Sequence, residues 1–141
     1  MKKLLILSLV ILSILGCTAG GPGTLGAVAT RELDCSESDI ENELNKLKNT
    51  DPFKTSIEDT NAVGWWERGG YDFLNYKCMN IKDRLYMITI NSENSATADI
   101  SIRSFYNRKR NEWMFATEFT STDKQNAEKA MSHLLTYIAC E

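Results

Sequence analysis

Four thiols, one imidazole, two adjacent indoles and one tight run of cations hold most of the chemical potential of this 141-residue chain. Cys17 follows Gly16 at the end of an apolar stretch, while Cys35, Cys78 and Cys140 are spread through the remainder. A thiol can be alkylated, bridged or ionised to hold a metal, depending on compartment and neighbours. A redox pair has Cys-x-x-Cys spacing, which the chain lacks. A structural zinc site takes four clustered N or S ligands. With cysteines committed to a bridge, no such set remains around His133, and neither a metal nor another cofactor is expected. His133 also has no Gly-x-Ser-x-Gly partner and no oxyanion loop after a strand, so no catalytic residue is assigned. Phosphate-cradling glycine motifs are missing as well.

The setting of Cys17 is the most specific signal. Lys2 and Lys3 precede Leu4–Leu15, which is apolar except for Ser8 and Ser13. That is shorter than the roughly 20 apolar residues of a spanning helix and has the length of a secretory h-region. Ile14-Leu15-Gly16-Cys17 resembles the lipobox of bacterial lipoproteins. The resemblance implies a signal peptide over 1–16, cut before Cys17, with diacylglycerol on its thiol and an acyl chain such as palmitate on its new N-terminus. Several chains make a stable anchor, since each buried CH₂ contributes about 0.8 kcal/mol and one chain alone is marginal. Thr18 stands where an Asp would signal inner-membrane retention, so the resemblance points to the outer membrane. Residues 18–30 carry no charge, which favours the periplasmic face over the cell surface. In a host with one membrane the same anchor would sit on the outer leaflet.

Residues 17–30 then read as the lipidated Cys and a Gly-rich tether, with an r.m.s. reach of roughly 20 Å. Residues 31–141 are the right size for one domain. Without the signal the chain has 14 basic and 19 acidic side chains, an acidic balance that speaks against nucleic acid.

Within the domain, Ser36–Glu41 holds overlapping helix-start signals, Ser38 and Glu41 at capping-box spacing among them. Ile40, Leu44 and Leu47 follow on one helical face, and Asn49–Pro52 ends it. Residues 50–70 show no period and read as an ordered loop pinned by aromatics. Strands are expected over 72–79, 84–91, 97–106 and 112–120, separated by Lys82-Asp83, Asn91–Ser95 and Asn107–Asn111. Trp113, Phe115 and Phe119 share one phase of the last strand. Ser121 or Thr122 caps a final helix whose stripe is Ala127, Ala130, Met131, Leu134, Leu135 and Ile138. The expected fold is α+β, ordered α-β-β-β-β-α. A four-stranded antiparallel meander carries both helices on one face and turns its other, more polar face towards water in places.

That topology brings Cys35, Cys78 and Cys140 to one end, with Cys78 buried by its strand phase. Three thiols allow at most one bridge. A Cys35–Cys140 disulfide is the expected pair, and three reduced, buried thiols are the alternative.

Two surface features remain. Arg108-Lys109-Arg110 lies on a hairpin turn, with Arg103 on the polar strand face, and either meets anionic headgroups or an acidic partner or is a solvated turn. Trp65-Trp66 cannot both point into one core from an extended chain: either both pack under the long loop, or one is exposed, and an exposed Trp beside Tyr and Arg is hot-spot chemistry. The segment Trp65-Trp66-Glu67-Arg68-Gly69-Gly70-Tyr71-Asp72-Phe73, the Gly-rich start, a Tyr- and Met-bearing strand and a Trp-bearing strand before the last helix resemble a set of small envelope lipoproteins without assigned activity. The likeness touches most of 24–138, and Gly69-Gly70 stands where one Gly is expected. The resemblance supports fold and location. The expected function is a lipid-anchored, non-enzymatic accessory or binding protein of the envelope, attached to the membrane through its anchor, with an envelope protein as candidate partner. An inhibitor or immunity-type lipoprotein acting on an envelope enzyme or toxin is the rival.

Overall fold

The computed structural model describes residues 26–71 and 73–140. The signal, Cys17 and the tether up to residue 25 lie outside the described residues. The elements are β1 (Val28–Leu33), α1 (Glu37–Leu47), α2 (Thr60–Arg68), β2 (Tyr76–Ile81), β3 (Arg84–Asn91), β4 (Ala98–Asn107), β5 (Glu112–Phe115) and α3 (Ser121–Leu135). The fold is α+β, and its ladders are antiparallel. β2 to β5 form the expected meander. β1 joins it along the same edge of β4 that β5 uses, pairing with Ala98–Ile102 while β5 pairs with Ser104–Asn107.

β1 is an addition to the expected order, and it begins inside the segment read as tether. Its alternation is broken by a register shift between Val28 and Arg31, where Ala29 has φ +53°. Such a bulge erases the period-2 pattern by which a strand is recognised.

The starts of α1 and α3 rest on named caps. Ser36 Oγ accepts from Asp39 N and opens α1, so the cap is Ser36 and not Ser38. Thr120 and Asp123 form a reciprocal capping box for α3, in place of Ser121 or Thr122. Asp123 also takes Arg84 Nη1 at 3.0 Å, tying the helix start to β3.

As expected, α1 and α3 cover one face of the sheet. Ile40 and Leu44 of α1 and Ala127, Ala130, Met131 and Leu134 of α3 pack on Met79, Ile81, Ile88, Ile90, Ile100 and Ile102. Residues 57–68 are a correction to the expected loop: a 3₁₀ turn at Ile57–Asp59 runs into α2. α2 lies on the opposite face, where Ala62 and Trp66 pack on Cys78, Leu85, Met87 and Trp113. The domain is therefore covered on both sides over part of the sheet. Thr89, Ser101 and Arg103 continue this second face as its polar part.

The first meander strand starts at Tyr76, because Leu74 N turns back to Tyr71 O at 2.9 Å. The last ends at Phe115, where a 3₁₀ turn over Ala116–Glu118 sends Phe119 to the first face. There it meets Phe105 at 5.1 Å, so Phe119 does not share a side with Trp113 and Phe115.

Cys35 and Cys140 form a disulfide with Cα atoms 5.7 Å apart, closing the start of α1 onto the chain after α3. Cys78 lies in the core on the other face, away from that pair. The bridge spans a sequence separation of 105, where the chain-entropy model allows about 4.7 kcal/mol for a loop of this size. Replacing both cysteines by Ser is expected to lower the unfolding free energy by about 2–5 kcal/mol in urea titration. An unchanged midpoint would contradict a bridge that constrains the unfolded chain.

Candidate functional site

α2 is short, and Gly64, Thr60 and Asn61 are poor helix formers. Its placement depends on contacts to other elements. Asp59, 1% exposed, ends the preceding 3₁₀ turn and closes a capping box with Ser56. Arg108, from the β4–β5 turn, donates Nη2 to Asp59 Oδ2 at 3.0 Å and both Nε and Nη2 to Oδ1 at 3.2 and 3.1 Å. It also reaches Asp83 O and Asn80 Oδ1, so one guanidinium joins two hairpin turns to the base of α2. Burial by itself would raise the Asp59 carboxyl. The hydrogen bonds from Arg108, Asn80 and Ser56 together outweigh it and hold the group below the ordinary carboxylate range.

Two rings hold the upper part of the helix. Trp113 Nε1 donates to Ala62 O at 2.9 Å. Trp66 is fully buried and makes edge contacts with Trp113 at 5.4 Å, Tyr71 at 4.8 Å and Trp65 at 5.1 Å. Tyr71 folds back to stack on Trp65 at 5.8 Å. Gly69 makes this return possible, since a Cβ there would meet the Tyr71 ring at 2.7 Å. Gly70, at φ +75°, completes the reversal in a region that favours glycine.

Trp65 stays 41% exposed. It lines a cleft of about 340 Å³ with Tyr106, Trp113 and Phe115, rimmed by Asn61, Asn111 and Glu112. The polar handles of two of these rings already have partners in the chain: Trp113 Nε1 donates to Ala62 O in the core, and Tyr106 Oη to Asn111 Oδ1 at the exposed rim. What they offer a ligand is ring surface. The only carboxylate of the cleft, Glu112, is met by Arg110 Nε at 2.7 Å.

The expected surface residues are therefore not one patch. Trp65 lines the cleft and Trp66 is core, which removes Trp66 from any binding surface. Arg108 is latched to Asp59 and Arg110 is paired with Glu112, so the basic run is not a free cationic cluster. Lys109 has no ion pair among the described residues. Arg103 lies elsewhere on the second face, donating to Thr89 Oγ1 and Gly26 O at 2.9 Å each. The cleft residues Tyr106, Trp113 and Phe115 were missed as a group. The β4–β5 register is the signal that unites them, because Tyr106 pairs with Trp113, and Phe115 lies one step further on the same face.

Two other reactive groups are placed differently. Burial, with a smaller push from Glu67, raises the Cys78 thiol to about 12, so it stays protonated and is a poor nucleophile. His133 lies against Phe53 at 6.0 Å and Tyr137 at 5.3 Å, in a shallow depression whose one carboxylate is Asp83. Among the described residues no three His, Cys, Asp or Glu side chains group to hold a metal ion. No helix among them is long and apolar enough to cross a membrane. No family model, curated protein or solved structure matches this chain.

The latch has a pH signature. Asp59 has a folded pKa below its unfolded one, so it stabilises the fold above about pH 4, and that contribution is lost as pH falls through the folded value. Glu41 and Asp123 are also lowered, so the difference between wild type and Asp59→Asn isolates the latch. Asp59→Asn is expected to be destabilised at pH 7, with the gap to wild type closing below pH 4 in denaturant melts. Arg108→Ala strands the buried carboxylate and is expected to cost on the order of 3 kcal/mol at pH 7. A gap between wild type and Asp59→Asn that does not change with pH would contradict the assignment.

Proposed function

We propose that this chain is a lipid-anchored envelope protein whose folded domain binds a ligand in the Trp65 cleft and performs no reaction on it. The observation that carries the reading is the exposed Trp65 ring, fixed by Tyr71 at the mouth of an aromatic cleft with a polar rim. A large aromatic surface held in place costs little ordering entropy on binding, which is why such residues dominate hot spots.

The anchor rests on Gly16-Cys17 after the basic and apolar leader, with the outer membrane, periplasmic side, as its destination. The Cys35–Cys140 disulfide supports an oxidising compartment outside the cytoplasm. The cleft supplies hydrogen-bonding amides and a carboxylate already paired with Arg110, so binding suits it better than acid–base work.

Two measurements test this reading. Cells fed an alkyne-tagged palmitate are expected to label the chain, and Cys17→Ser is expected to abolish both label and cleavage before residue 17. Label retained in Cys17→Ser would overturn the anchor. The wild-type chain, immobilised, is expected to retain a component of a detergent-solubilised envelope extract that Trp65→Ala loses. Retention indifferent to Trp65 would remove the cleft from the function. If the component is a hydrolase or toxin, the inhibitor-type reading replaces that of an accessory protein.

A further inference from the structure

We infer that the occupant of the Trp65 cleft is a neutral saccharide, an inference that rests on the ligand-binding reading above. Three features of the cleft select the ligand by its chemistry. First, the charge of the site is already balanced. Its lining contains no Lys or Arg, and its single carboxylate is matched by Arg110 at 2.7 Å. A phosphate or carboxylate ligand would find no cation but Arg110, already paired with Glu112, and an ammonium ligand would compete with that guanidinium.

Second, the floor and wall are ring surface. The face of an aromatic ring carries negative charge density and attracts weakly polarised C–H groups. A pyranose presents such C–H groups on one face. Trp65 is the exposed platform, and the hydrogen-bonding atoms of Trp113 and Tyr106 are turned to internal partners.

Third, the rim is amide. Asn111 Oδ1 accepts from Tyr106 Oη, which leaves its Nδ2 donors for a ligand, and Asn61 is exposed. Each primary amide nitrogen offers two donors and each amide oxygen accepts, the complement of hydroxyl or acetamido groups around a sugar ring. An alkyl chain in the same place would strip water from these amides without replacing their hydrogen bonds, which costs free energy. The volume, about 340 Å³, is at the lower end of the ~300–1,000 Å³ of ligand sites and suits one or two sugar rings.

The test uses the full-length chain in a polyoxyethylene detergent, because glycosidic detergents would compete. Tri-N-acetylchitotriose, maltotriose and choline are titrated separately, followed by tryptophan fluorescence and calorimetry. Saturable binding of at least one trisaccharide is expected, weakened at least about tenfold by Trp65→Ala and retained within about threefold by Trp65→Phe. Asn111 has φ +55°, so Asn111→Gly keeps the turn while deleting the amide, and it too is expected to weaken binding. That second variant decides the matter if Trp65→Ala does not fold. Saturation by choline alone, or by neither trisaccharide, overturns the saccharide assignment. So does saccharide binding that neither Trp65→Ala nor Asn111→Gly alters. Trp65-dependent retention of an envelope component, with both trisaccharides silent, would leave the binding reading standing and the saccharide class wrong.

Discussion

Asp59 is a charge placed almost wholly out of water, and Arg108 is what makes that placement tolerable. A buried carboxylate without a partner is strongly destabilising, whereas one held by several donors is not. Because Arg108 comes from the β4–β5 turn and also engages the β2–β3 turn, the pair ties both turns of the meander to the base of α2. α2 then has one place to start. From that start its Ala62 and Trp66 face the sheet, and Trp65, one residue before Trp66, is directed away from the core. The exposure of Trp65 follows from the latch and from the helical step between adjacent residues.

The two faces of the sheet carry different duties. The α1–α3 face holds the larger aliphatic core and is closed by the Cys35–Cys140 bridge. The second face is aromatic, smaller and covered over only part of its length. It contains the buried Trp66 Nε1 and Ser104 Oγ, neither with a hydrogen-bond partner among the described residues, a cost that an apolar core would have avoided. Cys78 is inert within it. The Trp65 cleft opens at the margin of this face, beside β5 and the Asn107–Asn111 turn.

Much of this was legible in the chain. Ile40, Leu44 and Leu47 marked α1, the stripe from Ala127 to Leu135 marked α3, and the alternation of Ala98, Ile100 and Ile102 marked β4. The pairing of Cys35 with Cys140 was read from their places at helix ends and from the strand phase that buries Cys78. What escaped has physical causes. β1 lost its period to the bulge at Ala29. α2 is only nine residues long, Thr60, Asn61 and Gly64 among them, and its base is latched by Arg108, forty-nine positions from Asp59, so the local Ser56–Asp59 capping signal stands before a weak apolar period. Phe119 changed face because a 3₁₀ turn interrupts the strand. The ion pairs of the Arg108-Lys109-Arg110 run were not legible for the same reason: Asp59 for Arg108 is brought by the fold and Glu112 for Arg110 by the turn geometry.

The most direct test of the central claim uses the fact that the chain has three tryptophans, of which only Trp65 is exposed. The full-length chain labelled with 5-fluorotryptophan would give three ¹⁹F resonances, with Trp65 assigned through Trp65→Phe. On titration with solubilised envelope material, the account predicts that the Trp65 resonance shifts first and most, with Trp66 and Trp113 following weakly through their ring contacts. A titration in which Trp65 stays fixed while binding is evident by other means would contradict the cleft as the site.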